Sequence, residues 1–139
     1  MLDTKAKGRG LELMYGDLTE VVIGAFFAVY NDLGPGFLES VYENALMIAL
    51  GSAGVPAQAQ VPLTVHYRGH VVGQFRADLL VAGTLIIEIK AASQIVRAHE
   101  VQLVNYLRAT GIRLGLLLNF GPRAEFRRRV CTTPKLDPR

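Results

Sequence analysis

Between Gln74 and Ala91 the chain reads Gln-Phe-Arg-Ala-Asp-Leu-Leu-Val-Ala-Gly-Thr-Leu-Ile-Ile-Glu-Ile-Lys-Ala. Two apolar, β-favouring runs, Leu79 to Val81 and Leu85 to Ile89, are broken only at Ala82-Gly83-Thr84. That pattern predicts a tight hairpin. Into it the sequence places Asp78, Glu88 and Lys90. Side chains alternate faces along a strand, so Ile86, Glu88 and Lys90 share one face and Leu85, Ile87 and Ile89 the other. On the first strand Gln74, Arg76, Asp78 and Leu80 are expected on one face. Pairing Val81 with Thr84 would put the two acids on opposite faces. Pairing Val81 with Leu85, across a three-residue loop, sets them side by side. Adjacent carboxylates repel, and partial burial raises the cost of their charge unless a cation compensates. Arg76, Lys90 or a metal ion would serve. Spacing alone leaves open a salt-bridged hairpin face and a divalent-metal site.

A chain of 139 residues, half of them hydrophobic and 19% charged, has the balance of one globular domain with a real core. Its single cysteine, Cys131, excludes an intrachain disulfide and a cysteine-based zinc site, and suits a cytoplasmic location. Met1 to Gly10 lacks the apolar core of a secretory signal, and no apolar run reaches the roughly 20 residues of a membrane helix. No membrane role is expected. Charge is unevenly placed: residues 1–60 carry three Lys/Arg against seven Asp/Glu, a net −4. Residues 61–139 carry twelve against five, a net +7. The basic half holds the hairpin and suits a polyanionic partner or an ordinary solvated surface.

In order along the chain, residues 1–16 read as a flexible lead-in, 17–132 as one domain and 133–139 as a loose tail. Asp17 and Glu20 form a capping-box-like pair for a first helix, with Leu18, Val21, Val22, Ala25, Phe26 and Val29 at helical spacing. Gly34-Pro35-Gly36 ends it. A second helix is expected from Phe37 to Leu50, burying Leu38, Val41, Tyr42, Ala45, Leu46 and Ala49. Glu39, near its start, complements the helix dipole in the plainest reading. From Ala59 alternation predicts a half-buried strand, with His66 and His70 facing solvent or phosphate. After Lys90 a helix from Val96 to Thr110 carries Gln102 and Tyr106 four apart on one side, closed by Gly111. Leu114 to Phe120 reads as a strand buried on both faces. Glu125 to Cys131, bearing Arg127, Arg128 and Arg129, reads as an edge strand.

This order of elements, with an acid in the first part, Asp78 on the second strand and Glu88-Ile89-Lys90 on the third, resembles the PD-(D/E)xK nuclease superfamily. Gly36-Phe37-Leu38-Glu39-Ser40-Val41-Tyr42 further resembles the motif of the small bacterial GxxExxY family. So do the blocks around Arg76-Ala77-Asp78, Glu88-Ile89-Lys90-Ala91 and His99 to Leu107, over about Leu18 to Val130. Ala77 departs from the pattern, which has a proline before the aspartate.

The resemblance implies an α/β, restriction-endonuclease-like αβββαβ core, a mixed central sheet flanked by helices, with an extra N-terminal helix. It implies a nuclease hydrolysing DNA with Mg²⁺ or Mn²⁺, held by Asp78, Glu88, the Ile89 carbonyl and Glu39. Lys90 would act on the attacking water and the developing phosphate charge. Gln102 and Tyr106 would approach the site and the nucleic-acid backbone. Arg68, Arg76, Arg97, Arg108, Arg113 and Arg127 to Arg129 offer compensation or phosphate contacts. With no separate recognition domain, little intrinsic sequence specificity is expected unless a second copy or a protein partner supplies it. The alternative is a non-catalytic nucleic-acid or protein-binding module on the same fold.

Overall fold

A computed structural model describes the backbone of residues 4–136 and the side chains of residues 16–136. The elements are α1 (Thr4–Leu33), α2 (Glu39–Ser52), β1 (Ala57–Tyr67), β2 (His70–Val81), β3 (Leu85–Lys90), α3 (Arg97–Thr110), β4 (Leu114–Phe120) and β5 (Ala124–Val130). The strands form one mixed sheet in the order β1-β2-β3-β4-β5. Only β3 and β4 run parallel, because α3 carries the chain back before β4 begins. The restriction-endonuclease-like α/β architecture expected from the sequence is what forms. Strands β3 and β4 are central and nearly all buried, which their unbroken apolar runs require.

The sheet separates two apolar layers. On one side α1 and α2 deliver Val22, Phe26, Tyr42 and Leu46 against Leu79, Ile87, Leu116 and Phe120. On the other, α3 sets Leu103, Tyr106 and Leu107 on Ala77, Ile86 and Leu117. Among the described residues no helix is long and apolar enough to cross a membrane.

Several local expectations are corrected. Helix α1 starts at Thr4, so Asp17 and Glu20 lie inside it and cap nothing. A capping-box pair marks a helix start only where the chain upstream is broken, and Leu11 to Met14 are good helix formers with no proline before them. The lead-in reading for residues 1–3 and the tail reading for 137–139 lie outside the described residues. Helix α2 starts at Glu39 rather than Phe37; Leu38 is its 77%-exposed N-cap and Val41 is also exposed. Its buried stripe is Tyr42, Leu46 and Leu50, spaced by four. Along β1 only Leu63 is buried.

The largest departure lies in β2. Ala77 belongs to the α3 layer and Leu79 to the α1/α2 layer, although residues two apart on a regular strand share a face. Gln74, Arg76, Asp78 and Leu80 therefore do not form one continuous face. The strand changes face at Asp78. The ladder shows why: Ala59 pairs with Leu79 and Val61 with Ala77, while Gln60, between them, has no partner and turns left-handed at φ 55°.

Candidate metal and phosphate site

The β2–β3 turn takes the three-residue form. Val81 pairs with Leu85, Leu80 with Ile86 and Leu79 with Ile87, with Ala82 and Gly83 both at positive φ. Asp78 and Glu88 are the next opposed pair, and there main-chain pairing stops. Side chains replace it. The Asp78 N–H donates to Glu88 Oε2 at 2.8 Å, and the Ile89 N–H donates to Asp78 Oδ2 at 2.7 Å. Each carboxylate thus closes the fork on its neighbour's backbone and keeps its second oxygen.

The pair is electrostatically poised. Glu88 is 4% exposed. Burial first, and the charge of Asp78 second, push its pKa from 4.5 up to about 8, against the opposing pull of the Asp78 N–H and Lys90. Bare, the pair holds a proton near neutrality. A divalent cation placed between the carboxylates would displace it.

Lys90, at the end of β3, points to α3 and donates from Nζ to Gln102 Oε1 at 3.1 Å. Gln102 Nε2 in turn donates to the Tyr106 hydroxyl at 3.2 Å. Burial, then Glu88 and Asp78, raise the Tyr106 pKa, so its phenol stays protonated. The i, i+4 spacing read from the sequence puts this amide and this phenol on one helix face over the lysine. The strand end is itself fixed. Buried Asn119, paired with Lys90 across the parallel ladder, accepts from the Ala92 N–H and donates to the Ala92 carbonyl.

The structure therefore brings together Asp78, Glu88, Lys90, Gln102 and Tyr106. Glu39 is exposed on the first turn of α2. Its charge is the last-ranked influence on Glu88, and among the described residues no three His, Cys, Asp or Glu side chains form one cluster. Glu39 lines a cleft of about 830 Å³ with Pro35, Phe37 and Ala91, the residue that follows Lys90. The rest of its motif is structural. Gly36 has φ 111°, and the fully buried Tyr42 donates to the Gly34 carbonyl at 2.6 Å while accepting from the Phe37 N–H. Its ring stacks on Phe120, 4.1 Å between centroids. The Ile89 side chain is buried, and its N–H is the one that holds Asp78.

The basic residues divide. Arg76 and Arg97 are exposed near the site, Arg76 donating to the Gln60 carbonyl at 3.2 Å. Arg108 is half-buried on α3, and Arg113 is exposed just before β4. Arg127 and Arg129 are paired with Glu125 and Glu100, and Arg68 covers the Tyr67 ring at the far end of the β1–β2 hairpin.

Two residues not singled out from the sequence belong to the site's frame. Asn119 is one; its signal was a lone polar residue in a run of buried leucines. Gln60 is the other. Its amide donates to Glu43 Oε1 at 2.5 Å and lies 3.5 Å from Asp78 Oδ1, linking α2 to the Asp78 carboxylate. Nothing in Ala59-Gln60-Val61 announces a left-handed residue, so no sequence signal would have found it.

Comparison with known proteins agrees with this architecture. No curated protein matches the chain. Among solved structures the chain is similar to one described as "Crystal structure of SSO0001", with a TM-score of 0.54 and 21% identity, covering 93% of this chain and 63% of that one. That likeness is one of fold, and this chain spans less than two thirds of the other's length. The PD-(D/E)XK nuclease superfamily matches residues 16–130, from within α1 to the end of β5. A match over that span, on a sheet forked at an aspartate and a Glu-x-Lys strand, makes this chain a member of the PD-(D/E)XK nuclease superfamily.

Proposed function

We propose that the chain is a divalent-metal-dependent nuclease that hydrolyses phosphodiester bonds of DNA in the cytoplasm with little intrinsic sequence specificity. The Gly36-to-Tyr42 turn supports its narrower placement in the GxxExxY family. The observation that carries the reading is the fork, in which a buried carboxylate, a half-buried one and a half-buried lysine are fixed within one corner of the sheet.

The donor set fits a hard cation such as Mg²⁺ or Mn²⁺. Asp78 Oδ2 and Glu88 Oε2 accept main-chain N–H groups, which leaves Oδ1 and Oε1 to hold an ion. Burial makes a second negative charge on the bare pair unfavourable, so the site favours a compensating cation. The Ile89 carbonyl and, through water, Glu39 would complete its oxygen ligands. When bound, such an ion lowers the pKa of a water and stabilises charge developing at phosphorus.

The chain's own residues do the remaining work. Gln102, tethered by Tyr106, holds the Lys90 ammonium beside the acids, where it orients the attacking water and neutralises charge on the phosphate oxygens. Arg76, Arg97 and Arg108 hold the backbone without reading sequence. A second copy or a protein partner would supply any specificity.

The test is incubation of purified protein with single- and double-stranded DNA in Mg²⁺, Mn²⁺ or chelator. Degradation should require the metal. Lys90→Ala should abolish it while leaving metal binding and DNA affinity largely intact, and Asp78→Asn should lose both metal binding and cleavage. Native-rate cleavage by Lys90→Ala would overturn the assigned roles. Metal-independent DNA binding with no cleavage in any metal would instead favour the non-catalytic binding module.

A further inference from the structure

Beside the lysine, on the α3 side of the sheet, lies an apolar groove of about 750 Å³ that the chemistry above does not use. Its size falls within the roughly 300–1,000 Å³ of small-ligand clefts. Phe75 and Val65 from the β1–β2 hairpin form one wall, and Val101, Asn105 and Tyr106 from α3 form the other. Gln102 lines it as well, so the groove and the lysine share a residue.

Phe75 is 45% exposed and Val101 47%, so both walls of the groove present apolar surface to solvent. The Phe75 ring is also fixed. It lies over Gly73, where a Cβ would come within 2.8 Å of it, and rests tilted against Tyr106 at 5.7 Å between centroids. Gly73, with no Cβ, leaves room for the ring, and Tyr106 packs against it, which fixes Phe75 where it lines the groove. At the rim stand the exposed Arg97 guanidinium and the exposed Asn105 amide.

We propose that this groove takes an unpaired base of single-stranded DNA, stacked on Phe75, next to the phosphate that Lys90 and a cation on Asp78 and Glu88 would hold. The proposal rests on the nuclease reading and names its substrate class. Each feature matches one part of a nucleotide. The ring offers a stacking platform that any base fits, Asn105 offers a donor and an acceptor to a base edge, and Arg97 offers a cation to the adjoining phosphate. Residues 61–139, which hold the groove, carry the net charge of +7 that a polyanion favours. Continuity through Gln102 places the base within a nucleotide or so of the bond to be cut. A paired base inside a duplex cannot present its face to Phe75 without first being extruded.

The experiment is fluorescence anisotropy with labelled oligothymidine, the same strand carrying one abasic position moved along it, and blunt duplex, all in chelator so that no cleavage intervenes. Phe75→Leu should weaken single-strand binding roughly ten-fold, the order of one lost base–aromatic stack, and leave duplex binding unchanged. Phe75→Tyr should bind as wild type, and circular dichroism should show all three proteins folded. One abasic position should reproduce the loss in wild type and add nothing in Phe75→Leu. Val101→Glu, at an exposed position, should weaken the single strand more than the duplex. Equal effects on both nucleic acids, or none, would overturn the proposal. So would a concentration-dependent dimer abolished by Phe75→Leu, which would give the groove to a second copy of the chain. Cleavage in Mn²⁺ is scored separately. Wild-type cleavage with an indifferent Phe75 would sink only the groove, whereas selective single-strand binding without cleavage in any metal would sink only the nuclease reading.

Discussion

Gln60 shows how one residue's backbone can shape a site. It is a non-glycine residue at φ 55° in the middle of a strand, a conformation that costs about 1–2 kcal/mol. It holds that conformation where β2 changes face and where Asp78 turns toward Glu88. Gln60→Gly and Gln60→Ala both remove the amide that reaches Glu43 and Asp78, but only alanine keeps the strain. Urea melts should therefore find the glycine variant more stable than the alanine variant by about 1 kcal/mol, with metal-induced stabilisation reduced in both. Equal stabilities would mean that the strand relaxes and that no strain is stored there. Glu88 makes a second expectation at this scale. Its pKa in the folded protein is raised to about 8 from 4.5, chiefly by burial and then by Asp78. Between those values the unfolded chain has lost a proton that the folded protein keeps, so the folded state binds more protons. In chelator, stability should then fall as pH rises through that window, by an amount on the order of a few kcal/mol. Glu88→Gln should flatten the slope in pH-dependent melts. A wild-type protein whose stability rises across the window would contradict the burial assigned to this carboxylate.

Among the elements, the turn between α1 and α2 has the clearest division of labour. Gly36 supplies the left-handed backbone and Tyr42 the tie, while Glu39 is left exposed at the helix start. Tyr42→Phe keeps the ring stacked on Phe120 but leaves the Gly34 carbonyl and the Phe37 N–H without their partner. It should cost about 1–3 kcal/mol in thermal or urea melts. A neutral result would mean that water replaces the phenol. What the sequence made legible here follows from periodicity. The turn at Ala82-Gly83-Thr84, Leu114 to Phe120 and the Gln102/Tyr106 pair could be read because turn residues, burial on both faces and helical spacing leave marks in the residue order. The helix start at Thr4, the exposure of Leu38 and the change of face at Asp78 left none. Capping pairs occur inside helices, an apolar residue at a helix end need not meet a partner, and an unpaired glutamine looks like any other strand residue. The acids and lysine of the fork were legible as a constellation, whereas the hydrogen bonds that close it depend on a register that spacing left between two choices.

For the whole molecule, the charge asymmetry gives the expectation most easily measured. Residues 61–139 carry +7 and the first 60 carry −4, so DNA should meet the sheet and α3 rather than α1. Affinity in chelator should fall several-fold when salt is raised from about 50 to 200 mM, and Arg97→Glu should shallow that dependence for single and double strands alike. An affinity indifferent to salt would assign binding to apolar contact alone.

The order of assembly follows from the parallel pairing of β3 with β4. The fork joins residues only ten and eleven apart, so its hydrogen bonds can close within an isolated β2–β3 hairpin on the microsecond scale of such units. The strand that seals Glu88 from water, β4, pairs only after α3 has spanned the gap, a slower and more distant closure. The carboxylates are therefore expected to meet while still hydrated and to lose their water last. In chelator near neutral pH, stopped-flow refolding should carry its pH dependence in whichever limb of the chevron includes β4 docking, and proton uptake should lag the formation of the hairpin.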